Sequence, residues 1–197
     1  MKIIGVGGRN RSGKDTIVEL LIEKGWFGVS GGDIVREYSR KRHANKEYPV
    51  ARENLTETAN WLRTEQGPDV LLKEVVKRYK AANKDGKYKG LVSYSIRAPI
   101  EVDFILENGG RIIWVEASDV VRHARHKEAQ REGESHQSLR KMLEIEALEE
   151  QPQPGTPAVV QMNIKYVQEH ATDVIENNGD DLDAFLAEAA KFVENLL

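Results

Sequence analysis

The sequence predicts an α/β protein built on a parallel sheet. Short apolar runs that suit buried strands alternate with longer segments of helical periodicity, which is the pattern of repeated βα units. The first run, Ile3-Ile4-Gly5-Val6, leads into a glycine-rich loop and then into a helical pattern that ends at Gly25. With 40% hydrophobic and 31% charged residues, the chain has enough apolar material for a core.

The periodicity places five strands and their connecting helices in chain order. We expect an exposed loop over residues 151–157, where proline and glycine are concentrated. The predicted strands cover residues 3–6, 26–30, 90–95, 111–116 and 170–176. The predicted helices cover residues 17–22, 34–44, 51–66, 69–82, 100–106, 119–150 with a break at 132–135, and 182–197.

Length, net charge and composition exclude several classes of protein for this chain. The 197 residues suit one domain over residues 1–197. A net charge of −3, from 29 basic and 32 acidic residues, argues against nucleic-acid or membrane-surface partners. The absence of cysteine excludes disulfides and thiolate chemistry. The first apolar run is too short for a leader, and no stretch approaches the ~20 apolar residues of a membrane span, so we expect a cytoplasmic protein.

The glycine-rich loop has the spacing of a phosphate-binding loop. Gly8, Gly13 and Lys14 follow the pattern Gly-x-x-x-x-Gly-Lys between a strand and a helix. Inward-turned backbone N–H groups and the helix N-terminus would bind phosphate oxygens, and Lys14 would add a point charge. The next residue is Asp15, with Thr16 after it, so Mg²⁺ would be held by Thr16 or by Asp15 through water. The alternative is an ordinary glycine-rich turn.

Arginines follow two further predicted strands, where ligands of such sheets bind. Asp33 and Arg36 come after the second strand and Arg97 after the third. Two such arginines beside a phosphate loop indicate a second phosphate-bearing substrate. The simpler alternative for the first pair is a helix cap and a surface arginine.

A strongly basic run follows the fourth predicted strand. Mobile arginines that close over a transferred phosphoryl group stabilise the charge on its oxygens. We select Arg122, Arg125 and Arg131 as closing residues. The alternative is a solvated helix face whose charges pair with neighbouring glutamates, and it explains at least half of these charges.

At these residues the chain resembles the nucleoside-monophosphate kinase group of P-loop proteins. Residues Ser30 to Arg36 are similar to the Ser-x-Gly-Asp-x-x-Arg pattern of adenylate kinases, and Tyr94 to Arg97 resemble their Asp-Gly-x-x-Arg pattern. The segment 171–179 before the last helix looks like dephospho-CoA kinases. The closest overall resemblance is to dephospho-CoA kinase-like and adenylate-kinase-related proteins, while residues 151–168 carry no such motif.

The resemblance implies a P-loop fold with a five-stranded parallel sheet, a substrate-binding helical segment at residues 33–85 and a lid-like insertion at 122–160. It implies transfer of the ATP γ-phosphate to a small acceptor. Asp33, Arg36 and Arg97 would bind the acceptor, and Arg122, Arg125 and Arg131 would act from the lid or its hinge. Asn177, Asn178 and Gly179 would lie near adenine. The ATP phosphates and Mg²⁺ would be bound by Gly8, Arg9, Asn10, Arg11, Ser12, Gly13, Lys14, Asp15 and Thr16.

One departure from the kinase pattern bears on activity. Tyr94 stands where the family has an aspartate that helps to orient Mg²⁺, so Glu116, Asp15 or Asp33 would have to substitute. The first hypothesis is an ATP-dependent small-molecule kinase whose acceptor is a nucleoside or deoxynucleoside monophosphate, or dephospho-CoA as second choice. The alternative is an ATP-binding regulatory protein with weak or no phosphotransfer.

Overall fold

A five-stranded parallel sheet forms the centre of the protein. The computed structural model describes residues 1–128, 138–150, 157, 161–179 and 181–197, with the backbone alone at 148–150. The strands are β1 (Ile3–Gly7), β2 (Phe27–Ser30), β3 (Leu91–Tyr94), β4 (Arg111–Glu116) and β5 (Asp173–Glu176). Their order is β2-β3-β1-β4-β5, and every pairing is parallel. The predicted fold class is confirmed.

Helices connect the strands and cover both faces of the sheet. The predicted helix over 119–150 appears as two described helices, and the break expected at 132–135 lies outside the described residues, as does all of the loop 151–157 except Pro157. The helices are α1 (Lys14–Glu23), α2 (Gly31–Arg42), α3 (Arg52–Gln66), α4 (Val70–Ala82), α5 (Pro99–Glu107), α6 (Asp119–Glu128), α7 (Leu139–Glu150), α8 (Ile164–Glu169) and α9 (Leu182–Leu196).

Two helix starts differ from the sequence prediction. The helix α2 begins at Gly31 because the Ser30 hydroxyl, not the Asp33 carboxylate, caps it by accepting the Asp33 N–H at 3.1 Å. The short helix α8 was not predicted. Asn163 caps α8 by accepting the Tyr166 N–H at 3.0 Å, and six residues are too few to show a helical period.

The core has one layer on each side of the sheet. Neighbouring residues of a strand face opposite layers, as Ile112 and Ile113 do on β4. On one side α1 and α9 pack through residues such as Leu21 and Val193. Helices α2 to α5 and α8 cover the other side. Burial on both faces explains why the strands are continuous apolar runs and not alternating ones.

The register aligns the carboxyl ends of the strands. Val6 pairs with Tyr94, Gly7 with Trp114, and Glu116 with Glu176. The loops that leave β1, β3, β4 and β5 therefore start along one edge. In the described part of the chain, no helix combines the length and apolar character that crossing a membrane would require.

Candidate functional site

The loop after β1 has a backbone that requires glycine at two positions. Gly8 has φ +153°, and a Cβ there would lie 2.6 Å from the Ser12 hydroxyl and 2.8 Å from the Val115 carbonyl. Gly13 has φ +93° at the start of α1, and a Cβ there would overlap the side-chain amide of Asn177. The Ser12 N–H donates to the Arg9 carbonyl at 3.2 Å and closes the turn. The turn thus ends at the N-terminus of α1.

Polar groups that suit phosphate lie inside this turn. Lys14 is the first residue of α1 and is 4% exposed, and Ser12 is completely buried. The Ser12 hydroxyl has no hydrogen-bond partner among the described residues. A buried, unpaired hydroxyl next to a helix N-terminus and a lysine fits a bound phosphate. Asp15 and Thr16 follow in the first turn, where a magnesium ion that contacts such a phosphate would find oxygen ligands.

A residue that follows β5 and another from α6 fix the loop from the side. The Asn177 amide donates to the Ser12 carbonyl at 2.9 Å. The Arg125 guanidinium donates to the Asn177 side-chain oxygen at 2.9 Å, to the Gly179 carbonyl at 3.0 Å and to the Arg11 carbonyl at 3.3 Å. Because Asn177 joins the Arg125 guanidinium to the Ser12 carbonyl, it is a positioning residue for the phosphate loop.

Arg122 also supports the loop and is completely buried. Its guanidinium donates to the Asn10 carbonyl at 3.2 Å, to both oxygens of Glu146 at 2.7 and 2.9 Å, and to Asp119 at 2.6 Å. Burial acts against its charge, but the bonds to Glu146 and Asp119 raise the pKa of Arg122 above its usual value. Arg122 and Arg125 therefore contact the loop backbone. Arg131 lies outside the described residues.

Two groups predicted for ATP or metal have partners within the chain. The Glu116 carboxylate accepts bonds from the Trp114 indole at 2.7 Å, the Gln168 amide at 2.9 Å and the Ala117 N–H at 3.1 Å. These bonds give Glu116 a role in holding α8 to β4. The Asn178 side-chain oxygen accepts the Ser118 N–H at 2.7 Å. Within the described residues, no three His, Asp or Glu side chains form a metal-binding cluster.

A cavity that is open to solvent adjoins the phosphate loop. Asn10 and Lys14 line it from the loop side, and Arg36 and Arg97 line it from α2 and from the segment after β3. The Arg97 guanidinium donates to the Asn10 side-chain oxygen at 3.2 Å. The structure thus brings the two predicted acceptor arginines to one cavity with the loop lysine.

Two further arginines line this cavity and were not predicted. Arg52 lies at the start of α3 and Arg63 near its end. Arg63 occurs four residues after Ala59 and eight after Leu55, on the apolar stripe of the helix. An arginine on an apolar stripe was the signal in the sequence that would have identified it.

The Asp33 carboxylate pairs with a cavity arginine and also lies close enough to Tyr94 to influence its ionisation. Asp33 accepts a bond from Arg36 at 2.7 Å. Burial raises the pKa of the Tyr94 hydroxyl above its ordinary value, and the negative charges of Asp33 and Asp15 add to the rise. Tyr94 therefore stays neutral at physiological pH in a place where two carboxylates are already close.

Comparisons with solved structures agree on the fold, whereas comparisons of the sequence alone find no match. No protein-family model matches the chain, and no curated protein matches it. The structure of TT1252 from Thermus thermophilus is 22% identical, with a TM-score of 0.51, and the alignment covers 100% of this chain and 97% of that one. Dephospho-CoA kinase from Campylobacter jejuni is 14% identical, with a TM-score of 0.50 and coverage of 99% and 97%.

A shikimate kinase from Bacteroides thetaiotaomicron is 12% identical, with a TM-score of 0.52 and coverage of 99% and 97%. Alignment over nearly whole chains at such low identity is a likeness of architecture. The protein therefore has the fold of P-loop kinases, and the predicted resemblance is confirmed at that level.

Proposed function

We propose that the protein is an ATP-dependent phosphotransferase that acts on a small, nucleotide-like acceptor. The observation that carries this proposal is one cavity lined by both Lys14 of the phosphate loop and the arginines Arg36 and Arg97. Such an arrangement suits two anionic ligands that meet at the carboxyl edge of a parallel sheet. A nucleoside or deoxynucleoside monophosphate is the first acceptor proposed, and dephospho-CoA is the second.

The proposed reaction is direct phosphoryl transfer. An oxygen of the acceptor attacks the γ-phosphorus of ATP while the bond to the β–γ bridging oxygen breaks, so ADP leaves and no covalent enzyme intermediate forms. Lys14, the Ser12 hydroxyl and the N-terminus of α1 would stabilise negative charge on the phosphates. Arg36 and Arg97 would orient the acceptor.

Thr16, or Asp15 through water, would hold Mg²⁺, an ion that prefers oxygen ligands. When bound, it would neutralise charge on the β- and γ-phosphates. Asp33 stays a candidate for acceptor binding, although its bond to Arg36 also makes it a partner of that guanidinium. The bonds of the Glu116 carboxylate within the chain argue against this residue as a ligand, so we leave it out of the proposed metal site.

The proposed division of the chain is one domain with two specialised segments. Residues 33–85 would bind the acceptor, since α2 and α3 supply most of one wall of the cavity. Residues 122–160 would form the lid, with Arg131 as its closing arginine. The bonds of Arg122 and Arg125 to loop carbonyls support a role for both at the base of that lid, where they position the phosphate loop.

ADP formation from Mg-ATP tests the proposal. The acceptors are the ribo- and deoxyribonucleoside monophosphates, dephospho-CoA, phosphomevalonate and shikimate, and Lys14→Ala is the blank. Lys24→Ala, which removes a lysine paired with Glu194 on the surface, is the matched control. We expect one acceptor to stimulate wild type and Lys24→Ala but not Lys14→Ala. No stimulation by any acceptor would contradict phosphotransfer.

The second candidate function is an ATP-binding regulatory protein without transfer, which the neutral Tyr94 favours. Tyr94→Asp distinguishes the two, with Tyr94→Phe as the control that removes only the hydroxyl. If an acid is missing, Tyr94→Asp raises turnover above wild type while Tyr94→Phe does not. ATP binding without turnover in all three proteins would favour the regulatory function.

A further inference from the structure

Arg63 is a buried arginine at the wall of the cavity. It lies in the last turn of α3 and is only 3% exposed. Helix α3 packs its apolar side, including Leu62, into the core beside α2 and α4. An arginine in such a place costs free energy unless its five donors and its charge are matched.

The chain itself does not satisfy all the hydrogen-bond donors of Arg63. Its Nη1 atom has no hydrogen-bond partner among the described residues. The nearby carboxylate is Glu101, whose Oε2 atom accepts the Arg97 N–H at 2.7 Å and the Ala98 N–H at 2.8 Å. Glu101 is therefore already engaged in capping α5. The two N–H groups of this atom are left for a ligand.

The charge around Arg63 favours an anion. Burial lowers the pKa of the Arg63 guanidinium, the Glu101 carboxylate opposes that change, and the Arg97 charge adds to it. Two guanidinium groups thus repel each other, and that of Arg63 is shielded from water. A negative group between them would relieve both the repulsion and the unmade hydrogen bond.

We infer that Arg63 binds the acceptor, and that together with Arg97 it selects an acceptor carrying a phosphate monoester over a neutral one. This inference rests on the proposed function, because it assigns a residue and a ligand class to the acceptor side of the same cavity. Among the described residues, five cationic side chains line the cavity and Glu101 is the one carboxylate that does so, while Asp33 pairs with Arg36. The remaining excess of positive charge suits a dianion. The cations are Lys14, Arg36, Arg52, Arg63 and Arg97.

The remaining cavity wall fits the rest of such an acceptor. Val35, Leu55 and Leu71 line the cavity beside the arginines. A flat or apolar group attached to the phosphate would cover these side chains, whereas a small polyol would leave them facing water. The combination therefore favours a phosphate ester with an apolar or aromatic body.

A structural role for Arg63 makes a different prediction. If the arginine served only to hold Glu101 and α5, its replacement would lower stability and leave anion binding unchanged. If it serves a ligand, replacement removes a desolvated charge with an unmade bond, so stability stays the same or rises while binding is lost. Stability and binding must therefore be measured on the same variants.

The test uses the whole protein saturated with Mg²⁺ and a non-hydrolysable ATP analogue, so that the phosphate loop is occupied. Calorimetry then follows phenyl phosphate, benzoate and phenol, which share one ring and differ in charge. The variants are Arg63→Met and Arg63→Lys. The control is Arg111→Met, which removes a cation paired with Asp173 at the opposite edge of the sheet.

We expect the wild type to bind phenyl phosphate more tightly than benzoate and to give no binding with phenol. Arg63→Met should weaken phenyl phosphate by about tenfold or more, the effect of one hydrogen bond to a charged group. Affinity for the ATP analogue should equal that of the wild type in Arg63→Met and in Arg111→Met, and the thermal midpoint of Arg63→Met should be no lower than that of the wild type. Arg63→Lys, which keeps the charge without the fork, should fall between wild type and Arg63→Met.

Several results would overturn the inference. The first is that the wild type does not bind phenyl phosphate. The second is that it binds phenol as tightly as phenyl phosphate. The third is that Arg63→Met binds phenyl phosphate with the affinity of the wild type. Should Arg63→Met not fold, wild-type affinity in Arg63→Lys would have the same meaning. The two proposals fail separately. Anion binding that depends on Arg63 without any turnover would refute phosphotransfer alone, and turnover that does not depend on Arg63 would refute this inference alone.

Discussion

Replacing Glu146 with alanine should destabilise the protein strongly because it leaves the charge of Arg122 buried. Glu146 accepts two bonds from Arg122, at 2.7 and 2.9 Å, and the Arg122 side chain has no exposed surface. Removing one partner of a buried ion pair costs about 3–5 kcal/mol. Asp119 stays in place at 2.6 Å and is half exposed, so we expect the lower end, about 3 kcal/mol.

Urea denaturation of wild type and variants measures this loss. The matched control is Glu144→Ala on the same helix, because Glu144 pairs with an arginine that is 90% exposed. Such a surface pair contributes about 0–1 kcal/mol. For a chain of this size, about 3 kcal/mol lowers the thermal midpoint by roughly 6–12 °C.

The double variant Arg122→Met/Glu146→Ala isolates the pair. Because it removes both charges, it should recover part of the stability lost in Glu146→Ala. A Glu146→Ala loss no larger than that of Glu144→Ala would refute the argument, since it would mean that Arg122 does not depend on Glu146 for its compensation.

Three further predictions concern the phosphate loop and the cavity. Gly13→Ala should cost about 1–2 kcal/mol of stability and weaken binding of the ATP analogue, because φ is +93° and the new Cβ overlaps Asn177; calorimetry and thermal denaturation measure both. The raised pKa of Tyr94 predicts a stabilising contribution that is complete below the pKa of the unfolded chain, about 10, and is lost as pH rises through the folded value. Comparing the alkaline unfolding of wild type and Tyr94→Phe tests this sign. Glu101→Ala should cost about 2–4 kcal/mol, because it removes a cap that accepts two N–H groups and also leaves Arg63 without a nearby carboxylate; urea denaturation measures the loss.

The sheet was predictable because its signals are local. Both faces are buried, so each strand appears as an apolar run, and the strands found all overlap the predicted ones. Helix boundaries were less accurate, since the capping of α2 by Ser30 was assigned to Asp33. Helix α8 was not predicted because its position depends on tertiary contacts, such as the bond from Gln168 to Glu116. Such contacts leave no periodic pattern in the sequence.

The site was predictable only where chemistry and spacing coincide. The spacing of Gly8, Gly13 and Lys14 predicted the phosphate loop. Arg36 and Arg97 were selected because each follows a predicted strand. Asn177 supports the loop through one side-chain amide, and no local pattern distinguishes it from a turn asparagine. The two remaining cavity arginines come from a helix whose rotation toward the cavity is set by packing against α2 and α4.

The bond between Asn177 and the Ser12 carbonyl joins residues 165 positions apart in the sequence. A ribosome adds about 5–20 residues per second, so the amide is synthesised roughly 8–33 seconds after the loop that it holds. During this interval α1 also lacks α9, one of the elements that it packs against. The part of α1 that α9 covers is then available to chaperones, and the loop after β1 gains this support only after Asn177 has been synthesised.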